Sequence, residues 1–204
     1  MRPSGFYHFA ALLLAPLVYG IYRLQVRGKE HVPRAGGFVL AANHNSNFDP
    51  WALGLPLYPR RYLRFMAKSE LYWWPLKYVL DAGGAFPVRR GEQDEQAMQT
   101  AVGLCREGHV VVMFPEGTRR QKGLRKKWEA RAHSGAARIA LEAGVPLVPA
   151  AIRGTDKLAK LARLRVDYGP PIPLDDLHGR EIREAAQEAT DRLMAEIERL
   201  EHAP

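Results

Sequence analysis

The sequence predicts an α/β fold: a layered, largely parallel mixed sheet flanked by helices, with an N-terminal apolar membrane-associating helix ahead of it. Three observations carry this. Short apolar runs at 38–42, 109–113 and 145–152 have the length and composition of buried strands. An amphipathic helix over 92–107, with Ala97, Thr100, Ala101, Leu104 and Cys105 as its apolar stripe, stops at Gly108 just before the second run, so strand, helix and strand alternate. Finally, 204 residues with 47% hydrophobic content are enough for one sizeable core, and no linker divides it. The expected organisation is a membrane-associating helix over residues 1–24 and a main domain over 25–204.

Residues 6–22 are apolar apart from His8, contain Pro16, and are followed by Arg23, Arg27 and Lys29. The stretch is marginally short for a bilayer span, which takes about 20 apolar residues. It reads as a monotopic anchor lying in one leaflet, where the basic residues behind it suit anionic headgroups; the competing reading is a buried helix packed on the domain. Residues 25–28 form a short first strand, and Val32 to Gly37 a turn. The 38–42 strand then delivers Asn43-His44-Asn45-Ser46-Asn47-Phe48-Asp49-Pro50.

That stretch sets a titratable base and a carboxylate five positions apart. On a continuous helix they would point about 140° away from each other. Asn45, Ser46 and Asn47 are turn formers, however, and Asp49-Pro50 resembles a helix cap with proline in the first turn, so the chain bends and brings Asp49 back to His44. With one imidazole nitrogen held by Asp49, the other is free to take a proton from a substrate hydroxyl. The competing reading is a turn histidine next to a cap.

A short helix follows over 51–57 and a strand over 61–67, with Lys68 at its end. Residues 71–76 form an aromatic knot that suits either a core or a membrane-interface face. The segment 81–88 passes through Gly83 and Gly84 into a short strand ending at Arg89-Arg90, whose planar guanidiniums suit phosphate. The 109–113 strand runs into Phe114-Pro115-Glu116-Gly117-Thr118-Arg119. Gly117 permits a turn that aims a backbone N–H at a developing oxyanion, and Arg119 is suited to hold an anion in two-point contact. Both motifs lie just past strand ends, where sites form in open α/β sheets. Beyond them come a basic loop over 120–131 with Trp128, a helix over 134–142 capped by Gly144, the 145–152 strand and a last strand over 164–168. A helix over 180–200 closes the chain, with Ile182, Ala186, Ala189, Leu193, Ile197 and Leu200 as its packing stripe.

Composition narrows the function classes. A net charge of +8 favours an anionic partner, whether nucleic acid, bilayer or phosphorylated substrate. The single cysteine, Cys105, excludes an internal disulfide and reads as a buried structural thiol in a reducing compartment. No repeat period, metal-ligand spacing or Walker-type glycine loop points elsewhere, so neither a metal nor a redox cofactor is expected.

Asn43-His44-x-Ser46-x-x-Asp49 and Phe114-Pro115-Glu116-Gly117-Thr118-Arg119 resemble the first and third signature blocks of the glycerolipid acyltransferases, with the bacterial 1-acyl-sn-glycerol-3-phosphate acyltransferase family the nearest match. Gly84-Ala85-Phe86-Pro87-Val88-Arg89 resembles the second block and Val145-Pro146-Leu147-Val148-Pro149-Ala150 the fourth, in the same order, over roughly residues 25–170. The resemblance makes 25–204 an acyltransferase domain. It implies transfer of a fatty acyl group from acyl-CoA or acyl-carrier protein to the hydroxyl of a lysophosphatidate-type lipid, giving phosphatidic acid in phospholipid biosynthesis. It implies His44, Asp49 and a backbone donor near Gly117 as the catalytic set, and Lys68, Arg89, Glu116, Thr118 and Arg119 as substrate-binding residues. The expected setting is peripheral or monotopic, at the cytoplasmic face of the cell membrane, with an anionic membrane surface as partner and no nucleic acid. His133-Ser134 departs from the family, which has lysine or proline before that glycine. Two alternatives stand beside this: a related acyltransferase acting on a lyso-ornithine lipid or glycolipid, and a non-catalytic basic module binding membrane or nucleic acid. In the second alternative the ordered His44/Asp49 and Glu116/Arg119 blocks have no use.

Overall fold

The computed structural model describes residues 4–88, 95–117 and 132–204. Arg89, Thr118 and Arg119, with the basic stretch 120–131, lie outside the described residues, and Lys68 is placed here by its backbone.

Seven strands among the described residues form one sheet: β1 (Gln25–Arg27), β2 (Phe38–Ala42), β3 (Leu63–Lys68), β4 (Ala85–Val88), β5 (Val110–Met113), β6 (Leu147–Arg153) and β7 (Arg165–Tyr168). Their order is β1-β7-β6-β2-β5-β3-β4. From β6 to β4 every neighbour is parallel, β7 runs antiparallel to β6, and β1 pairs parallel with β7, so the sheet is mixed and largely parallel as expected. The helices are α1 (Gly5–Pro16), α2 (Asp49–Gly54), α3 (Leu76–Ala82), α4 (Glu95–Arg106), α5 (Gly135–Ala143) and α6 (Ile182–His202).

The central strand β2 is buried at all five positions, which is why it reads as a continuous apolar run rather than an alternating one. Its side chains still alternate between two cores. Phe38, Leu40 and Ala42 pack with Val110, Val112, Val148 and Leu53 on one face, whereas Val39 and Ala41 pack with Val111, Ala101, Ile139 and Leu193 on the other. Helices α4, α5 and α6 cover the second face with small residues, of which Ala136, Ala140 and Ala189 are fully enclosed. At Gly37 a Cβ would sit 1.9 Å from the Cys105 carbonyl oxygen, so only glycine admits this close approach of α4 to β2. Cys105 is buried, and burial pushes its thiol up to about 12, which makes it the inert structural thiol expected.

Helix α1 lies on the first face. Ser4 caps it by accepting from the Tyr7 N–H at 3.1 Å, and Tyr7, Ala10, Ala11 and the following Val18 turn inward. The Tyr7 ring packs on Trp51 at 5.9 Å and edge-on against Tyr62 at 5.5 Å. Among the described residues no helix is long and apolar enough to cross a membrane.

Some expectations are corrected. In α4, Thr100 is exposed and Val102 is buried, because the inward stripe runs through Ala97, Ala101, Val102 and Cys105. Ile182, at the start of α6, is 40% exposed, and the buried stripe begins at Ala185. The 71–76 knot is not core: it leads into α3, and Trp73 and Trp74 are exposed.

Candidate active site

The parallel strands β2, β5, β3 and β4 end on the same edge of the sheet, and each end delivers part of the predicted site. β2 is followed by His44, β5 by the Phe114–Gly117 turn, β3 ends on Lys68, and β4 ends on Val88, next to Arg89 in the chain. In a parallel sheet the connections return every strand in the same sense, so groups far apart in sequence gather at the carboxyl edge.

His44 and Asp49 meet. The imidazole Nδ1 lies 2.7 Å from Asp49 Oδ2, with the carboxylate fully enclosed and the imidazole 12% exposed. The same Oδ2 accepts the backbone N–H groups of Asn45 at 2.7 Å and Ser46 at 2.8 Å, while Oδ1 accepts the Thr155 hydroxyl at 2.6 Å. Four donors therefore converge on one carboxylate. Such a group is an acceptor only, so Nδ1 carries its proton toward Asp49 and the lone pair is left on Nε2. The Phe114 ring stacks on the imidazole, 4.1 Å between centroids and 15° between planes, which fixes the ring's tilt as well as its edge.

Asp49 is not the helix cap that its sequence context resembles. It is the first residue of α2, and its side chain reaches back to the amides of the preceding turn rather than forward into the helix. The turn is closed by the Asp49 N–H donating to the Ser46 carbonyl at 3.1 Å, and the Phe48 N–H donates to Ser46 Oγ at 3.2 Å. The turn formers thus serve the carboxylate, and Pro50 sits in the first turn of the helix.

The base of the site is pinned to β6. Buried Asn43 donates from Nδ2 to the Ile152 carbonyl at 2.9 Å and accepts the Ile152 N–H at Oδ1 at 2.7 Å, imitating a strand pair with its side chain. Nδ2 also donates to Glu201 of α6 at 2.9 Å, and Asn45 Nδ2 donates to the Ile152 carbonyl at 2.9 Å. Thr155 follows two residues after β6, past Gly154, whose φ of +91° and contact with the Arg163 carbonyl require glycine. Neither Thr155 nor the clamping role of Asn43 and Asn45 is visible locally, since their partners lie more than a hundred residues away.

Gly117 has φ +69°, and its own N–H donates to the Phe114 carbonyl at 2.9 Å, closing the turn. This one amide is thus engaged inside the turn that the positive φ of Gly117 permits. Glu116 shares that turn and is partly buried. His133, where the chain departs from the family pattern, donates its N–H to the Pro115 carbonyl at 2.8 Å, and its ring occupies the space beside Gly117 where a Cβ would come within 2.7 Å. No cluster of three metal-ligating side chains occurs among the described residues.

The Acyltransferase family model matches residues 23–153. The 1-acyl-sn-glycerol-3-phosphate acyltransferase of Bacillus subtilis is 31% identical over 201 residues, covering 96% of this chain and 97% of that protein. The 1-acyl-sn-glycerol-3-phosphate acyltransferase alpha of Bos taurus is 29% identical over 177 residues, covering 81% of this chain and 59% of that protein. Among solved structures, the 1-acyl-sn-glycerophosphate (LPA) acyltransferase PlsC from Thermotoga maritima shares the fold, with a TM-score of 0.63, 22% identity, and coverage of 98% of this chain and 89% of that one. With a matching family model over most of its length and its carboxylate-held histidine at the edge of the shared sheet, the chain belongs to the Acyltransferase family.

Proposed function

We propose that the protein moves a fatty acyl group from the thioester of acyl-CoA or acyl-carrier protein to the free hydroxyl of 1-acyl-sn-glycerol-3-phosphate, making phosphatidic acid and a free thiol at the cytoplasmic face of the cell membrane. The observation that carries the reading is the His44–Asp49 pair, held at 2.7 Å by a carboxylate that three further donors fix in place. In the proposed step His44 Nε2 takes the hydroxyl proton as the oxygen attacks the thioester carbonyl. Asp49 stabilises the imidazolium that forms. Collapse of the tetrahedral intermediate breaks the carbon–sulfur bond, and the imidazolium returns the proton to the departing sulfur, so a C–O ester replaces a C–S ester and no electrons change hands.

An amide in the segment beginning at Gly117 is the proposed oxyanion donor, the Gly117 N–H itself being used in the turn. Arg119, Arg89 and Lys68 are the proposed grip on the acceptor phosphate, whose double charge calls for more than one cation, with Glu116 and Thr118 beside them. The mechanism calls for no metal or redox cofactor. A net charge of +8 supports an anionic membrane surface as the setting.

The test is thiol release by the purified protein against a matrix of donors and acceptors, with His44→Ala as the blank. Turnover of lysophosphatidate that is lost in His44→Ala, at an unchanged melting temperature, is the expected result. Full activity in that variant removes the base assignment, and preference for an acceptor lacking phosphate removes the proposed substrate.

A further inference from the structure

We propose that Glu201, in the last turn of α6, is a positioning residue for the acyl transfer: its carboxylate holds the Asn43 side chain and, through it, the backbone that carries His44. The role rests on the reaction proposed above, in which His44 is the base.

Asn43 is fully buried, and its amide brings one acceptor oxygen and two donor hydrogens that need partners. Ile152 satisfies the oxygen and one hydrogen: Oδ1 accepts the Ile152 N–H at 2.7 Å, and Nδ2 donates to the Ile152 carbonyl at 2.9 Å. These two bonds decide which end of the amide faces which way. The second Nδ2 hydrogen goes to Glu201 Oε1 at 2.9 Å. The Ile152 carbonyl cannot take it as well, because its other lone pair receives Asn45 Nδ2 at 2.9 Å. A buried donor left without an acceptor carries its full desolvation cost. Without Glu201 the amide must turn or admit water, and either change loosens both bonds to Ile152. Those bonds carry the β2–β6 pairing one step past Ala42 and Ala150, its last register pair, and so they set the backbone from which His44 follows.

Glu201 is mounted independently of the asparagine it holds. Helix α6 buries Ala185, Ala189, Leu193 and Ile197 along the sheet. Its end is then tied to β6 a second time: Arg153, the residue after Ile152, donates from Nη1 to the Ala203 carbonyl at 2.9 Å and from Nη2 to Asp167 Oδ2 at 3.0 Å. Asp167 is buried and also accepts from Arg165 Nε at 3.0 Å, so the arginine that grips the helix end is itself fixed. The glutamate therefore sets the asparagine rather than following it. Glu201 is also at odds with its own helix. The C-terminal end of a helix carries partial negative charge, which Arg199 and His202 complement and a carboxylate opposes. A residue that breaks a local preference is compensated elsewhere in the structure, and the bond to Asn43 is such a compensation.

The experiment compares Glu201→Gln, Glu201→Ala and Leu193→Ala in the full chain, by thiol release with lysophosphatidate and by proton NMR of the ligand-free protein. Glutamine keeps an oxygen for Asn43 without the charge, alanine removes the acceptor, and Leu193→Ala loosens the buried face of α6 without touching Asn43. Glu201→Ala is expected to lower kcat by about tenfold or more at an unchanged acceptor KM, since a misplacement of roughly 1 Å can cost about 10²-fold in rate. Glu201→Gln is expected to restore kcat to the wild-type range. Leu193→Ala is expected to lower the melting temperature at least as far as Glu201→Ala while leaving kcat unchanged. In the NMR arm, the low-field proton of His44 Nδ1–H is expected to shift or broaden in Glu201→Ala, and the Asn43 side-chain amide to lose its protection from hydrogen exchange. Both signals are expected to keep their wild-type behaviour in Glu201→Gln and Leu193→Ala. Wild-type kcat in Glu201→Ala, a loss that glutamine does not restore, or an equal loss in Leu193→Ala overturns the proposal. Signals that respond as expected in a protein that turns over no lysophosphatidate support the positioning and remove the proposed reaction. Turnover that depends on His44 while Glu201→Ala leaves both signals unmoved does the reverse.

Discussion

Asp49→Asn separates the two things the carboxylate can do for His44, holding its geometry and supplying charge. Oδ2 receives three donors, two of which are backbone amides that cannot withdraw: Asn45 at 2.7 Å and Ser46 at 2.8 Å. The asparagine must therefore place its carbonyl oxygen there and turn its NH2 toward Thr155, whose hydroxyl can switch from donor to acceptor. His44 Nδ1 then still donates to an oxygen, so the tautomer is kept and only the charge is lost. At the roughly 4 Å between charge centres that a 2.7 Å hydrogen bond implies, an effective dielectric of about 20 makes the carboxylate worth roughly 4 kcal/mol to an imidazolium. That corresponds to a fall of about 10³ in kcat/KM. Thiol release under single-substrate saturation should place the loss in kcat, with acceptor KM little changed and the circular dichroism spectrum retained. If Asp49→Asn keeps more than about a tenth of wild-type kcat/KM, no imidazolium is being stabilised and the base mechanism fails.

Two other outcomes are expected, one from the same contacts and one from a partly buried histidine elsewhere. Thr155→Val removes the donor to Asp49 Oδ1 without changing the side chain's shape, so it should lower stability by about 1.5–3 kcal/mol in urea unfolding and lower kcat rather than KM, with Thr155→Ser restoring both. His109 has its pKa lowered, chiefly by burial and then by neighbouring positive charges including Arg64 and Arg61. The unfolded chain therefore binds a proton at higher pH than the folded one, so the His109 contribution is fully present above about pH 6.5 and is lost as pH falls below it. His109→Asn should flatten the decline in melting temperature between neutral and mildly acidic pH, and an unchanged slope would exclude His109 as its source.

How much of this could be read from the chain depends on sequence distance. The His44–Asp49 pairing was legible because the strand, the turn formers and Pro50 all lie within a dozen residues, and local turn chemistry forces the approach. The parallel sheet was legible from apolar runs buried on both faces. Helix α3 is not legible: it is seven residues long, wedged between Pro75 and the Gly83-Gly84 pair, and none of its residues is buried, so it has no inward stripe to recognise. Which amides Asp49 holds is not legible, because a capping aspartate and one that reaches backward share the same sequence neighbourhood. Thr155 and the Asn43 clamp were out of reach, because a crossover, not a local pattern, lays the end of β6 beside the end of β2.

The strand order also ranks the proposed cations. Neighbouring strands are about 4.8 Å apart, so β5 ends one step from β2, β3 two steps or roughly 10 Å, and β4 three steps or roughly 14 Å. The β5 turn touches the base directly, through the stack of Phe114 on His44. In the sequence Arg119 comes six residues after the end of β5, the nearest strand, whereas Arg89 directly follows the end of β4, the farthest. An acceptor whose hydroxyl meets His44 carries its phosphate only a glycerol carbon away, which favours the cation rooted closer. Arg119→Ala is accordingly expected to raise acceptor KM by about 10- to 100-fold, the worth of one charge-assisted hydrogen bond, and Arg89→Ala to raise it less. The comparison is made with lysophosphatidate and with monoacylglycerol, which lacks the phosphate and should be indifferent to both substitutions. A larger effect at Arg89 would mean that the acceptor lies along the sheet edge toward β4, with its phosphate held away from the β5 turn.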